Sequence, residues 1–302
     1  MGDLDPALAA VIDAISSWTG LTPDVTPITI GITNRNFRVD IGGESFVVRL
    51  SGKDTALLGI NRAAENEAAS TAAAAGVAPE VFAYLPEHAA LITRFVQGDH
   101  IPEEDLRRED VLSAVVASVK AIHACPPIRA TFPLFRIVED YARIAAERGV
   151  AVPEAYGEAH ALADRIEAVF SKAPMPDTTC HNDLLNANFL RDGDHVWIVD
   201  YEYAGMGDPF FDLGNLSINN GLSPEAQETL LRLYFGEVTD AQRARLGLMR
   251  IMSDFREAMW GVVQQGISTL DFDFVAYGDK HFGRLLETAA DPRFEDWLRA
   301  VA

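Results

Sequence analysis

Residues Cys180–Leu190 read CHNDLLNANFL, and residues Ile198–Gly205 read IVDYEYAG. The first stretch places a histidine, an aspartate and an asparagine at 181, 183 and 188. The second puts an acid, Asp200, at the end of an apolar run. Both sit where the flanking text is strand-like, and polar groups drawn toward a core cost free energy unless they have partners or a task. The fold must therefore hold two carboxylates and a carboxamide together between short strands.

Working outward, the text before residue 97 differs from the text after it. Residues 27–50 are short β-rich runs broken by Gly31 and Gly42-Gly43, which predicts a hairpin with IGGE as its turn. In FVVRL, strand alternation puts Phe46, Val48 and Leu50 on one face and Val47 and Arg49 on the other. The alanine-rich NRAAENEAASTAAAA, stopped by Gly76 and Pro79, predicts one helix, and VFAYL and ALITRFV two more strands. Beyond Gly98 the periodicity turns helical. Leu112, Val115, Val116, Val119 and Ile122 make one stripe, and similar patterns recur near 135–148, 157–172, 223–235, 240–265 and 275–290. Ser223, Pro224 and Glu225 are a helix start. The expectation is an α+β chain in two lobes. A small antiparallel sheet with one helix, and a further helix at the N-terminus, would span 1–97, and a larger helical lobe 98–302, with a ligand cleft between them.

Composition narrows the partners. The 302 residues carry 45 acidic against 25 basic side chains, a formal charge of −20, which argues against nucleic acid, because phosphate backbones need a basic face. The same charge favours small cations through long-range attraction. Two cysteines, Cys125 and Cys180, support neither a disulfide framework nor a metal cluster. MGDLDPALAAVIDAISSWTG reads as an acidic amphipathic helix rather than a signal peptide. Pro6 stands where a myristoylation signal opening at Gly2 needs Ser or Thr, and no apolar run reaches membrane-spanning length, so the cytoplasm is the expected location.

The opening motif has a mechanical reading. Phosphoryl transfer from ATP asks for metal ions on the phosphates, a group that orients or deprotonates the acceptor hydroxyl, and a cation on the other phosphates. In His-x-Asp-x-x-x-x-Asn, Asp183 can take the alcohol's proton, while Asn188 and Asp200 offer hard oxygens to Mg²⁺. A capped loop and a strand-end acid would use the same residue types. The presence of all three in order favours the chemistry.

At HNDLLNANFL, WIVDYEYAG and FFDLGN the chain resembles the choline/ethanolamine kinase family, within the aminoglycoside-phosphotransferase and protein-kinase-like folds. GITNRNFRV, FVVRLSG, NRAAE, GVAPEVFAYL and AMWGVVQQGISTLDFDFVAYGDKHF extend the resemblance from about residue 27 to 290. It implies Asp183 as catalytic base, Asn188 and Asp200 as Mg²⁺ ligands, and Arg49 on the ATP phosphates with Glu65 as its ion-pair partner. It implies Asp212 as a brace for the catalytic loop, and Trp260, Phe272 and Tyr277 as walls around a small amino alcohol. The pattern also departs from the family. The hairpin has no G-x-G-x-x-G, only Gly31, Thr33 and Asn34, so Asn34 is assigned to the nucleotide by position. One family tryptophan is Glu257 here, and the acid that faces the choline cation is Asn219, which suggests that the carboxylate has moved across the pocket toward a primary amine. His181 is expected to hydrogen-bond backbone, His123 to end its helix without binding a ligand, and Glu202 to share a strand face with Asp200. Two alternatives remain open: another cationic alcohol of aminoglycoside or thiamine type, or a nucleotide-binding module without turnover.

Overall fold

The computed structural model describes residues 4–29, 34–52 and 55–302; Gly2, Gly31 and Thr33 lie outside the described residues. After helix α1 (Pro6–Ala14), strands β1 (Asp24–Ile28), β2 (Arg35–Ile41), β3 (Glu44–Leu50), β4 (Val81–Leu85) and β5 (Ala90–Arg94) form one antiparallel sheet in the order β1-β2-β3-β5-β4. The β2–β3 turn is made by Gly42 and Gly43 at φ +63° and +84°, a left-handed pair that side chains with a Cβ rarely adopt. Helix α2 (Arg62–Ala74) follows β3, and Asn61 caps it by accepting from the amides of Ala63 and Ala64.

The remainder is helical apart from short strands: β6 (Asp99–His100), α3 (Glu109–His123), α4 (Leu134–Glu147), α5 (Ala155–Lys172), β7 (Thr178–Cys180), β8 (Phe189–Asp192), β9 (His195–Ile198), β10 (Gly205–Gly207), α6 (Pro209–Asn219), α7 (Pro224–Phe235), α8 (Asp240–Ile267), α9 (Phe274–Ala289) and α10 (Phe294–Val301). β7 pairs with β10, and β6, β8 and β9 form a second small sheet. The helix expected at 223 is α7, with Ser223 capping the Ala226 amide. No described helix is long and apolar enough to cross a membrane.

Helix α8 runs through the middle of the helical part and packs against α4, α6, α9 and α10. Its contact with α6 is close: a Cβ on Gly214 would lie 2.8 Å from the carbonyl carbon of Met249. Two dry interiors result. The larger joins α2 to the helices. The smaller lies between α1 and the sheet, where Phe46, Val48 and Leu50 of β3 are buried as the alternation requires. Val47 and Arg49 face the other way, into a cavity.

At the centre of the smaller core, the Phe46 ring lies 5.0 Å from Trp18 and 4.6 Å from Phe82, with the Arg94 guanidinium over it. Phe46→Ala is therefore expected to cost about 3–5 kcal/mol in urea unfolding. A loss below ~1 kcal/mol would show that α1 and the sheet do not depend on this cluster.

Candidate active site

The loop after β7 is held by α6. Asp212, fully buried in the first turn of α6, accepts the backbone amides of His181 at 2.8 Å and Asn182 at 2.6 Å, and bonds His123 Nε2 at 2.9 Å. Burial opposes its charge, but the His123 bond, both imidazoles and the His181 amide hold its carboxyl below the usual carboxylate range. One turn on, Asn215 Oδ1 accepts the Leu184 amide at 2.6 Å, and Asn220 donates to the Leu184 carbonyl at 2.9 Å. His181 Nδ1 accepts the Asp183 amide at 3.2 Å, which makes Nε2, 3.0 Å from the Val199 carbonyl, the donor. Burial lowers its pKa, and the neutral ring is spent on backbone. His123 does end α3, yet it is more than a helix end, because it ties Asp212 to the Tyr234 hydroxyl.

This clamp presents Asp183. The Nδ2 of Asn188 donates to the Asp183 carbonyl at 2.8 Å and to its Oδ2 at 3.3 Å, which leaves the Asn188 Oδ1 for another partner. Burial pushes the Asp183 carboxyl well above the usual range, Arg256 pulls it down, and Glu257, Asp200 and Glu202 push it up further. Asp200 lies two residues past the end of β9 rather than on the strand, at φ +68°. That left-handed turn, which aspartate tolerates, sends the following residues off the strand direction. Glu202 consequently sits in a turn, and strand alternation does not set its direction; it faces Asn34 and Arg62.

Arg49 joins the sheet to the loop. Its Nη1 meets Asp200 Oδ1 at 2.8 Å and its Nη2 meets Glu65 of α2. Burial lowers the pKa of Arg49, while Asp200 and Glu202 raise it. Glu65 also takes Arg62 at 2.8 Å, and Arg62 passes to Glu202 at 3.1 Å and to Asn34 Oδ1 at 3.1 Å. The Asn34 amide closes the network on Glu202 at 2.9 Å, so both ends of this side chain are engaged within the protein. A cavity of about 350 Å³ opens over these groups, lined by Val47, Arg49, Leu91, Phe95, Asn188 and Asp200 among others. Oxygen donors from a carboxylate and a carboxamide at its floor suit a hard divalent cation.

On the other side of Asp183 lies a wall of aromatic and charged residues. Arg256, 1 % exposed, places Nη1 3.8 Å from Asp183 Oδ1 and 2.8 Å from Glu257 Oε1, with its guanidinium carbon 4.1 Å over the Tyr203 ring. Glu257 Oε2 accepts the Tyr277 hydroxyl at 2.7 Å, and Trp260 Nε1 donates to the Tyr203 hydroxyl at 2.9 Å. Glu257 thus accepts one bond from the protein at each oxygen, from Arg256 and from Tyr277, and is 2 % exposed. Asn219 Oδ1 accepts from Arg284 Nη2 at 3.0 Å. Phe272 stands on the loop before α9, 42 % exposed, its ring tilted against Phe274 and edge-on to Tyr277. Tyr203 and Arg256 were missed in the sequence. Their signals are the second tyrosine of DYEY, and an arginine–glutamate pair inside a helix buried on every side.

An acid in a braced loop, and beside it a cleft lined by a second acid and a cation from the sheet, make a candidate phosphotransferase site. Residues 24–246 match the profile of the phosphotransferase enzyme family (APH). The chain belongs to that family and, within it, to the choline/ethanolamine kinase family: a solved member from Mesorhizobium loti is 32% identical, with a TM-score of 0.85 over 97% of both chains. Protein LicA of Haemophilus influenzae strain Rd is 28% identical over 78% of this chain and 91% of its own length. Ethanolamine kinase 2 of Rattus norvegicus is 28% identical over 79% of this chain and 68% of its own. The choline kinase LicA of Streptococcus pneumoniae shares the fold, with a TM-score of 0.78 at 19% identity over 94% of this chain and 98% of that one.

Removing the carboxylate of Asp212 would leave two backbone amides and His123 Nε2 unpaired in a buried site. Asp212→Ala is expected to destabilise the protein by about 3–5 kcal/mol in urea unfolding and to reduce turnover in parallel. Unchanged unfolding would mean that the loop holds itself.

Proposed function

We propose that the protein transfers the γ-phosphoryl group of ATP to the hydroxyl of a small amino alcohol, with choline and ethanolamine as the leading acceptors. The observation that carries this reading is that Asn188, bonded to Asp183, lines one cleft together with Asp200 and with Arg49 from the sheet. The names of its relatives, choline kinase and ethanolamine kinase, support the choice of acceptor.

In this reading the lobe up to residue 97 covers the nucleotide, and residues 98–302 carry the loop and the acceptor pocket. Val47, Leu91 and Phe95 receive the base, and Arg49, fixed by Glu65 and beside Asp200, holds the phosphates. Asn188 and Asp200 would hold Mg²⁺, which neutralises phosphate charge when bound. Asp183 orients the acceptor hydroxyl and takes its proton as the bond from the acceptor oxygen to the γ-phosphorus forms and the bond from that phosphorus to ADP breaks, with ADP leaving. Trp260, Tyr277 and, from the loop, Phe272 enclose the acceptor, while Glu257 acts through its hold on Arg256 and Tyr277. Asn34 and Glu202 keep Arg62 and Glu65 in place beneath the phosphates. The cytoplasm, where ATP is abundant, is the fitting compartment for two cysteines that are both free.

A small acceptor fits better than an aminoglycoside, because the wall beside Asp183 is closed by the Trp260–Tyr203 and Tyr277–Glu257 bonds. The test is ADP release with Mg²⁺ across ethanolamine, its N-methylated series up to choline, and aminoglycosides. Asp183→Asn is expected to lower kcat by about 10²–10⁴-fold with the KM for ATP little changed. Wild-type turnover by this variant would overturn the assignment of Asp183. Activity confined to aminoglycosides would overturn that of the acceptor.

A further inference from the structure

A buried arginine is an unexpected component of a wall that should receive a cation. The guanidinium of Arg256 lies against one face of Tyr203, is bound to Glu257, and stands 3.8 Å from Asp183. It therefore already fills one aromatic face and one carboxylate of the kind that recognises an ammonium. It is 1 % exposed, and moving it into water would strand Glu257 in a dry site. Its Nε and Nη2 have no hydrogen-bond partner among the described residues, so the packing around it, rather than a full set of acceptors, fixes its position.

We propose that Arg256 is a specificity-determining residue of the acceptor pocket: by covering the Tyr203 face and closing on Glu257, it makes the pocket select a primary ammonium over a quaternary one. The inference rests on the amino-alcohol reading above and names the acceptor class within it. A quaternary ammonium has no donors and depends on aromatic faces and nearby negative charge. Here one face is covered, the Glu257 charge is matched by Arg256, and the fixed guanidinium repels a second cation in a medium that screens poorly. A primary ammonium meets the same repulsion but can offset it by donating hydrogen bonds. The Tyr277 hydroxyl, whose hydrogen is committed to Glu257, still has lone pairs to accept one. The expected preference is for ethanolamine, and its structural cause differs from a direct bond to Glu257.

The test separates binding from turnover by using two cations that lack the hydroxyl, ethylammonium and ethyltrimethylammonium, titrated calorimetrically into the wild-type protein loaded with Mg²⁺ and a non-hydrolysable ATP analogue. Ethylammonium is expected to bind tighter by roughly tenfold, about 1.4 kcal/mol. Arg256→Met combined with Glu257→Gln, which leaves neither charge unpaired, is expected to bring the two affinities together or reverse them. The kcat/KM ratio of ethanolamine to choline is expected to fall by a similar factor, and Arg256→Lys to lie between. Equal or tighter binding of ethyltrimethylammonium by the wild type overturns the proposal without any variant having to fold. An unchanged ratio in a folded double variant overturns it as well. Binding of neither cation would remove the amino-alcohol reading itself, and with it the proposal.

Discussion

The site hangs on the Asp212 carboxylate. A loop that must present Asp183 to a ligand cannot also satisfy its own backbone, and the amides of His181 and Asn182 would be orphaned without an outside acceptor. Asp212 supplies that acceptor from a helix whose distance to α8 is set by Gly214 lying against the backbone of Met249. Asn182 sits at φ +66°, a conformation that asparagine tolerates better than most residues, and the short bonds hold it there. The position of Asp183 is thus inherited from the packing of α6 on α8.

The second constraint is electrostatic. Arg49, Glu65, Arg62, Glu202, Asn34 and Asp200 form one network between the sheet, α2 and the loop. Buried charge of this kind contributes little net stability, because desolvation cancels much of the Coulomb gain. What it supplies is geometry: β3, α2 and the turn after β9 can meet in few other arrangements that leave no charge unpaired. The apolar half of β3 is buried in the smaller core while the polar half joins this network, so one strand ties the sheet's packing to the site's charge.

Much of this was legible in the sequence, and the residues show why the rest was not. The alternation in FVVRL placed Arg49 correctly, because a strand has two faces and one of them is apolar. The spacing from Asp183 to Asn188 is local, and the loop closes on itself through the Asn188 amide. Glu202 was misread because two-residue alternation was carried past Asp200, where the positive φ ends the strand direction. His123 could not be read as a partner of Asp212, since 89 residues separate them and only the packing of α3 near α6 brings them together. Glu257 was seen as a substitution and Arg256 was not. A sequence comparison marks the position that changed, and the neighbouring charge that compensates it shows only in three dimensions. Helix α6 was hidden because FFDLGN drew notice for its chemistry, and its apolar residues on all sides give little periodicity.

Charge acts at two ranges in this protein, and the two do different work. With 45 acidic and 25 basic side chains, the surface draws any small cation toward the molecule without distinguishing one amine from another. Discrimination needs contacts that differ between the candidates, and a net field has none. Inside the wall Arg256 offsets part of the charge of Asp183 and Glu257 before any ligand arrives. The pocket then offers an incoming ammonium less Coulomb attraction than two unpaired carboxylates would, and discrimination has to come from hydrogen-bond geometry and from the aromatic faces left uncovered. A guanidinium held in place by the fold thus turns a site that could select for charge into one that selects for the shape and donors of the charged group.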